Sequence, residues 1–232
     1  MDSRLPVVFI ACKVFQGLLE KHIPDGLAAQ VTFLDYGLHQ VPRNLKSALQ
    51  VEIERITQPS LVVLGYGLCG NGLDGIRAGV HTLLVPRVDD CIAILLGSYR
   101  AYQHQFDTSS ATYYLSKGWL ESGSNPLQEY ETYVAKYGEG QANWLMDQQY
   151  RNYKRLAFVA HSLNDLQKYR PKARQVAAYC ERWGMQYEEI QGSDAYVRRL
   201  VELASVLEQA DKEFIVVPPG GILQQQQFLR MV

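Results

Sequence analysis

The chain reads as short apolar runs rich in β-branched residues, separated by stretches with a helical repeat. Residues 5–11 (LPVVFIA) predict a first buried strand, 30–35 a second, 60–64 (SLVVL) a third and 81–85 a fourth. Between them, 14–21 places apolar side chains at Val14, Phe15, Leu18 and Leu19. The stretch 42–56 does the same at Leu45, Ala48, Leu49, Ile53 and Ile56. Both spacings are helical. Pro59 ends the second of these helices. Residues 91–105 predict another, with Asp89 or Asp90 as its N-cap. Strands alternating with helices in this way predict an α/β fold: a doubly wound, mostly parallel sheet with helices on both faces.

From 99 to 154 the pattern changes. Tyrosine becomes frequent, 113–115 predicts one short strand, and 127–137 and 141–154 predict two helices. Strands then return at 156–160, 185–190 and 213–217, with helices at 169–183 and 195–209. The expected organisation is a first α/β unit over 1–98, a bridging segment over 99–154 and a second α/β unit over 155–232. The two outer parts share one order of elements, each ending in a glycine-rich loop, which suggests two related units. Residues 224–227, all glutamine, read as a polar helix or frayed tail.

Composition narrows the function classes. A formal charge of −1 with no basic block argues against nucleic-acid binding, which needs a clustered positive surface. No apolar run approaches membrane-spanning length, and residues 1–4 lead straight into the first strand, so a soluble, cytoplasmic protein is expected. Four cysteines in 232 residues do not form a disulfide framework. In a reducing compartment they are buried thiols, nucleophiles or metal ligands.

The third strand runs into Gly65-Tyr66-Gly67-Leu68-Cys69-Gly70-Asn71-Gly72-Leu73-Asp74-Gly75, with glycine at five of eleven positions. The spacing is neither the dinucleotide fingerprint nor a P-loop, which needs a following G-K-[ST]. Glycine permits positive φ and close backbone approach, so the amides around Gly67, Gly70, Asn71 and Gly72 are candidates for binding an anionic group. Cys12, Cys69 and Cys91 each leave the C-terminal end of a separate predicted strand, the edge where open α/β sheets bind ligands. In a strand order 2-1-3-4 the three are neighbours, because adjacent strands lie ~4.8 Å apart. Three thiolates suit zinc with an open fourth position, or a 4Fe-4S cluster with one free iron. His39, leaving the second strand, is a candidate fourth ligand or base. Arg87 is a candidate clamp for a carboxylate or phosphate. Asp89, Asp90 and His161 are candidate acid–base groups. Cys180, mid-helix on an apolar face, belongs to the core.

The combination of Tyr66-Gly67-Leu68-Cys69-Gly70-Asn71-Gly72, Pro86-Arg87-Val88-Asp89-Asp90-Cys91 and Tyr114-Leu115 with Gly118-Trp119 resembles domain-of-unknown-function family 1638 of bacteria and archaea. Cys12 after the first strand and Gly37-Leu38-His39 are similar to its pattern too, so the resemblance covers nearly the whole chain. Members are often encoded near corrinoid methyl-transfer proteins in anaerobes, which implies one-carbon chemistry and a protein partner in a methyl-transfer or maturation pathway. The expectation is a zinc or iron-sulfur enzyme acting on a small anionic molecule. The alternative is a non-enzymatic module that binds or matures a metal or cofactor.

Overall fold

The structure is a computed structural model that describes residues 5–230; the expected lead-in at residues 1–4 lies outside them. The four apolar runs form β1 (Val7–Cys12), β2 (Ala28–Leu34), β3 (Leu61–Gly65) and β4 (Thr82–Pro86). They are followed by β5 (Thr112–Ser116), β6 (Arg155–Ala160), β7 (Gln186–Gln191) and β8 (Phe214–Val217). The helices are α1 (Pro42–Glu54), α2 (Cys91–Leu95), α3 (Tyr99–Thr108), α4 (Lys117–Ser122), α5 (Pro126–Tyr137), α6 (Glu139–Tyr150), α7 (Leu163–Cys180) and α8 (Ala195–Leu203). Among the described residues no helix is long and apolar enough to cross a membrane. Two expected helices are cut short by glycine. After Cys12 only a 3-10 turn forms over Lys13–Phe15, because Gly17 turns left-handed at φ 65°. The stretch expected as one helix over 91–105 divides into α2 and α3 at Gly97, at φ 88°.

The α/β expectation holds, and the chain forms two compact units. The first takes Met1–Tyr99 together with Asp194–Val232. Its sheet has the order β2-β1-β3-β4-β8, parallel except for β8, which runs antiparallel to β4. β1 and β3 are buried along their whole length, as central strands covered on both faces should be. From β1 the chain passes to β2 on one side, then returns to β3 on the other. That reversal between β1 and β3 is a topological switch point, where the strand ends open a crevice. α1 starts with proline in its first turn and buries Leu45, Leu49 and Ile53, one face at four-residue spacing. The C-terminal segment laces onto the exit of the glycine loop. Gly75 donates to the Leu223 carbonyl (2.7 Å), and Leu223 donates to that of Ile76 (2.8 Å). With Leu223 and Phe228 buried, the glutamine run is a docked 3-10 turn, not a frayed tail.

The second unit is Arg100–Ser193. Its sheet, β5-β6-β7, is parallel throughout. α7 packs Ala173, Val176 and Cys180 into a core with Leu115, Leu120, Met146, Leu156 and Phe158. Arg155, almost fully buried at the start of β6, is held by Thr112 Oγ1 (2.8 Å) and the Glu188 carboxylate (2.9 Å). The three-part division expected from the sequence differs from this one. The tyrosine-rich segment supplies a strand to a sheet of its own, and the last strand joins the first sheet. Residues 155–232 do not form one sheet, because β8 is an antiparallel edge strand of the first sheet.

Candidate metal centre

The glycine loop is positioned by two backbone hydrogen bonds. Leu68 donates to the Val88 carbonyl and Cys69 to that of Asp89, each at 2.9 Å, so the ends of β3 and β4 are stitched together beyond the strands. Gly67 makes this possible. A Cβ there would lie 2.8–2.9 Å from the backbone N, Cα and C of Asp90. The chain then turns left-handed at three successive residues: Cys69 (φ 48°), Gly70 (φ 62°) and Asn71 (φ 71°). Gly72 closes the turn by donating to the Cys69 carbonyl at 3.2 Å. Cys69 is the notable member, because non-glycine residues rarely occupy this region and holding one there costs about 1 kcal/mol or more. On the β4 side, Asp90 caps α2 by accepting a hydrogen bond from Ile92 N at 2.8 Å. The cap sets the first helical residue, Cys91, against the loop.

These constraints bring Cys69 Sγ and Cys91 Sγ to 3.6 Å. Cys12, the last residue of β1, lies near enough for its thiol to influence the ionisation of Cys91. All three are buried, at 5%, 8% and 8% exposure. The Cys12 thiol is pushed well up from its ordinary value, first by the bond to Cys91 and then by burial. The Cys91 thiol is pushed up as well. Its link to Cys12 pulls it down, but the hydrogen bond to Cys69 and burial outweigh that pull. Three thiols in one buried spot oppose one another's ionisation, and a bound cation reverses that balance. Among the described residues no three His, Cys, Asp or Glu side chains are already grouped as a ligand set for an ion.

Tyr66, between Gly65 and Gly67, shares this site. Burial and the three nearby thiols together push its hydroxyl far up, so it stays protonated. Its oxygen is buried and has no hydrogen-bond partner among the described residues. The sequence reading gave Tyr66 no role. A large polar side chain between two glycines at a strand end was the available signal.

The other candidates are placed as follows. His39 is exposed in the 3-10 turn Tyr36–Gln40. Asp89 is exposed, and Asp90 serves as the cap. The Arg87 guanidinium donates to the Leu229 carbonyl, and its own carbonyl accepts from Arg230 (2.8 Å). Its partners are therefore in the C-terminal segment. His161 belongs to the second unit, against Gly192, where a Cβ would lie 2.8 Å from the ring. Gly70 and Asn71 are exposed and Gly72 is buried against Leu45. The amides of Leu68, Cys69, Gly72, Leu73, Asp74 and Gly75 all donate to backbone carbonyls, so most of the loop's donors hold the loop itself.

Residues 33–201 match the family described as protein of unknown function DUF1638. The chain belongs to this family. The DUF1638 match takes in Cys69 and Cys91, the pair in contact, and begins after Cys12. It runs through the whole of the second unit and ends within α8. Neither the curated proteins nor the solved structures contain a match to this DUF1638 chain.

Proposed function

We propose that this chain is a metal-dependent enzyme of the reducing cytoplasm that acts on a small anionic molecule in one-carbon, methyl-transfer chemistry. Its ion, zinc in the first place, is held by Cys12, Cys69 and Cys91. The observation that carries this reading is the 3.6 Å contact between the Cys69 and Cys91 sulfurs, with Cys12 buried at the end of the neighbouring strand β1. One tetrahedral zinc with bonds of about 2.3 Å holds two thiolates about 3.8 Å apart. A 4Fe-4S cluster binds its cysteines through different irons and so spaces the sulfurs more widely.

When bound, such an ion supplies Lewis acidity, so that a thiol or water in the fourth position gives up its proton near neutral pH. The chain's own residues do the holding. The left-handed turn aims Cys69, the Asp90 cap aims Cys91, and the end of β1 brings Cys12 across the switch point. Burial keeps water from competing for the thiolates.

The test is anaerobic purification followed by metal analysis and an absorption spectrum. A colourless protein with one zinc per chain, lost in Cys69→Ala and kept in Cys180→Ala, is expected. A brown protein that bleaches in air would replace zinc by a cluster on the same thiols. Protein without metal, or equal loss in both variants, would overturn the site.

A further inference from the structure

Tyr66 poses a problem that packing alone does not solve. It is 2% exposed, and its hydroxyl oxygen is buried with no acceptor among the described residues. Phenylalanine would fill the same space without stranding a donor, and a stranded buried donor is destabilising. The strand end is built tightly around it. A Cβ on Gly65 would lie 2.5 Å from that of Ala11, and one on Gly67 would press on the Asp90 backbone. Ala11 precedes Cys12 and Asp90 precedes Cys91, so the same close approaches that wedge Tyr66 in place also gather the three thiols. None of the three sulfurs accepts the hydroxyl's hydrogen bond. No described residue therefore supplies the acceptor.

We propose that the Tyr66 hydroxyl donates a hydrogen bond to a small thiolate bound at the fourth position of the Cys12–Cys69–Cys91 centre, making Tyr66 a binding residue for a thiol substrate. The proposal rests on the metal reading above and extends it to the class of ligand. Zinc with three thiolates carries a net charge of −1, so a fourth anionic sulfur needs a donor beside it. Arg87, the cation the sequence offered for an anionic group, donates to the Leu229 carbonyl. A phenol hydroxyl is a neutral donor, so it can meet an anionic sulfur without adding charge. A soft thiol also suits a thiolate-rich centre better than a carboxylate does.

The test uses the full chain loaded anaerobically with cobalt(II), whose sulfur-to-metal charge-transfer absorption counts bound thiolates. Wild type and Tyr66→Phe are titrated with 2-mercaptoethanol and, separately, with acetate. Both proteins should hold one cobalt with the same absorption before titration, which also establishes that the variant is folded. The thiol should add charge-transfer intensity to both, with affinity at least about tenfold weaker in Tyr66→Phe. Acetate should leave both spectra unchanged. Equal thiol affinity in the two proteins would overturn the role of Tyr66 and leave the metal centre standing. Binding of acetate in place of the thiol would overturn the ligand class. A cobalt spectrum without three thiolates in wild type would overturn the metal reading, and this proposal with it.

Discussion

Gly67→Ala tests how the site is assembled. A Cβ at this position would sit 2.8 Å from Asp90 C and 2.9 Å from its Cα and N, where ordinary contact begins at 3.4 Å. The obstacle is backbone, so no side chain can swing aside. The ends of β3 and β4 must part by roughly half an ångström to reach normal contact. The two bonds that stitch them, Leu68 N to Val88 O and Cys69 N to Asp89 O, would stretch from 2.9 Å towards the limit of a useful hydrogen bond. Losing most of two such bonds costs about 2 kcal/mol, and residual overpacking adds about 1 kcal/mol. Alanine's smaller unfolded-state entropy returns about 0.5–1 kcal/mol. The net loss is about 2 kcal/mol, a fall in Tm of about 4–8 °C for a chain of this size. The same parting moves Cys69 from Cys91, so metal content should drop although no ligand is altered. Gly37→Ala is the control. Nothing lies within 4 Å of its Cβ position and its φ is not left-handed, so it should be unchanged or stabilised by up to about 1 kcal/mol. Thermal unfolding and metal analysis of both variants, purified anaerobically, decide the matter. If Gly67→Ala melts with Gly37→Ala and keeps full metal content, the close approach at Asp90 does not assemble the site.

Two further outcomes are expected. Cys180 is fully buried in the second unit's core, and burial pushes its thiol up to about 12. It should therefore resist iodoacetamide at pH 8 in the folded protein and react on unfolding, and Cys180→Ala should cost about 1–2 kcal/mol in urea denaturation; labelling at the same rate in both states would contradict its core position. His81 is buried with Nδ1 unpartnered, beside a cavity of about 370 Å³ lined by Ile53, Ile56, Val80 and Ile222, and burial lowers its pKa from 6.5. A lowered histidine favours the fold while neutral, so its contribution is intact above pH 6.5 and is lost as pH falls from there through the folded value. The urea midpoint should decline over that window, and His81→Leu should flatten the decline; an unchanged slope in the variant would assign the effect to other groups.

The sequence by itself determined the local elements. Apolar runs at periods of two and 3.6 placed β1 to β4, α1 and most later elements within a few residues, and they put Cys12, Cys69 and Cys91 at strand ends. Such patterns are legible because they depend on neighbours two to four positions away. The glycines at 17 and 97 cut helices that the apolar spacing alone would continue, since positive φ is a backbone state that periodicity does not encode. Everything that joins distant residues was decided by the tertiary structure. β8 is a short apolar run like other strands, and only pairing with Leu83 to Pro86 made it antiparallel and assigned it to the first sheet. The glycine loop's composition suggested free amides, but carbonyls of the β4 loop and the C-terminal segment took up several of them, and the loop's own carbonyls took others. Arg87 lies four residues from Cys91 in the chain, yet its guanidinium is held by Leu229, 142 positions away. The contact of Cys69 with Cys91 came from a left-handed turn and two backbone bonds between loops. The unpartnered hydroxyl of Tyr66 came from what fails to reach it in space. A strand's residues specify which of its faces is buried; which strand lies beside it, and what its end residues meet, follow from the packing of the whole chain.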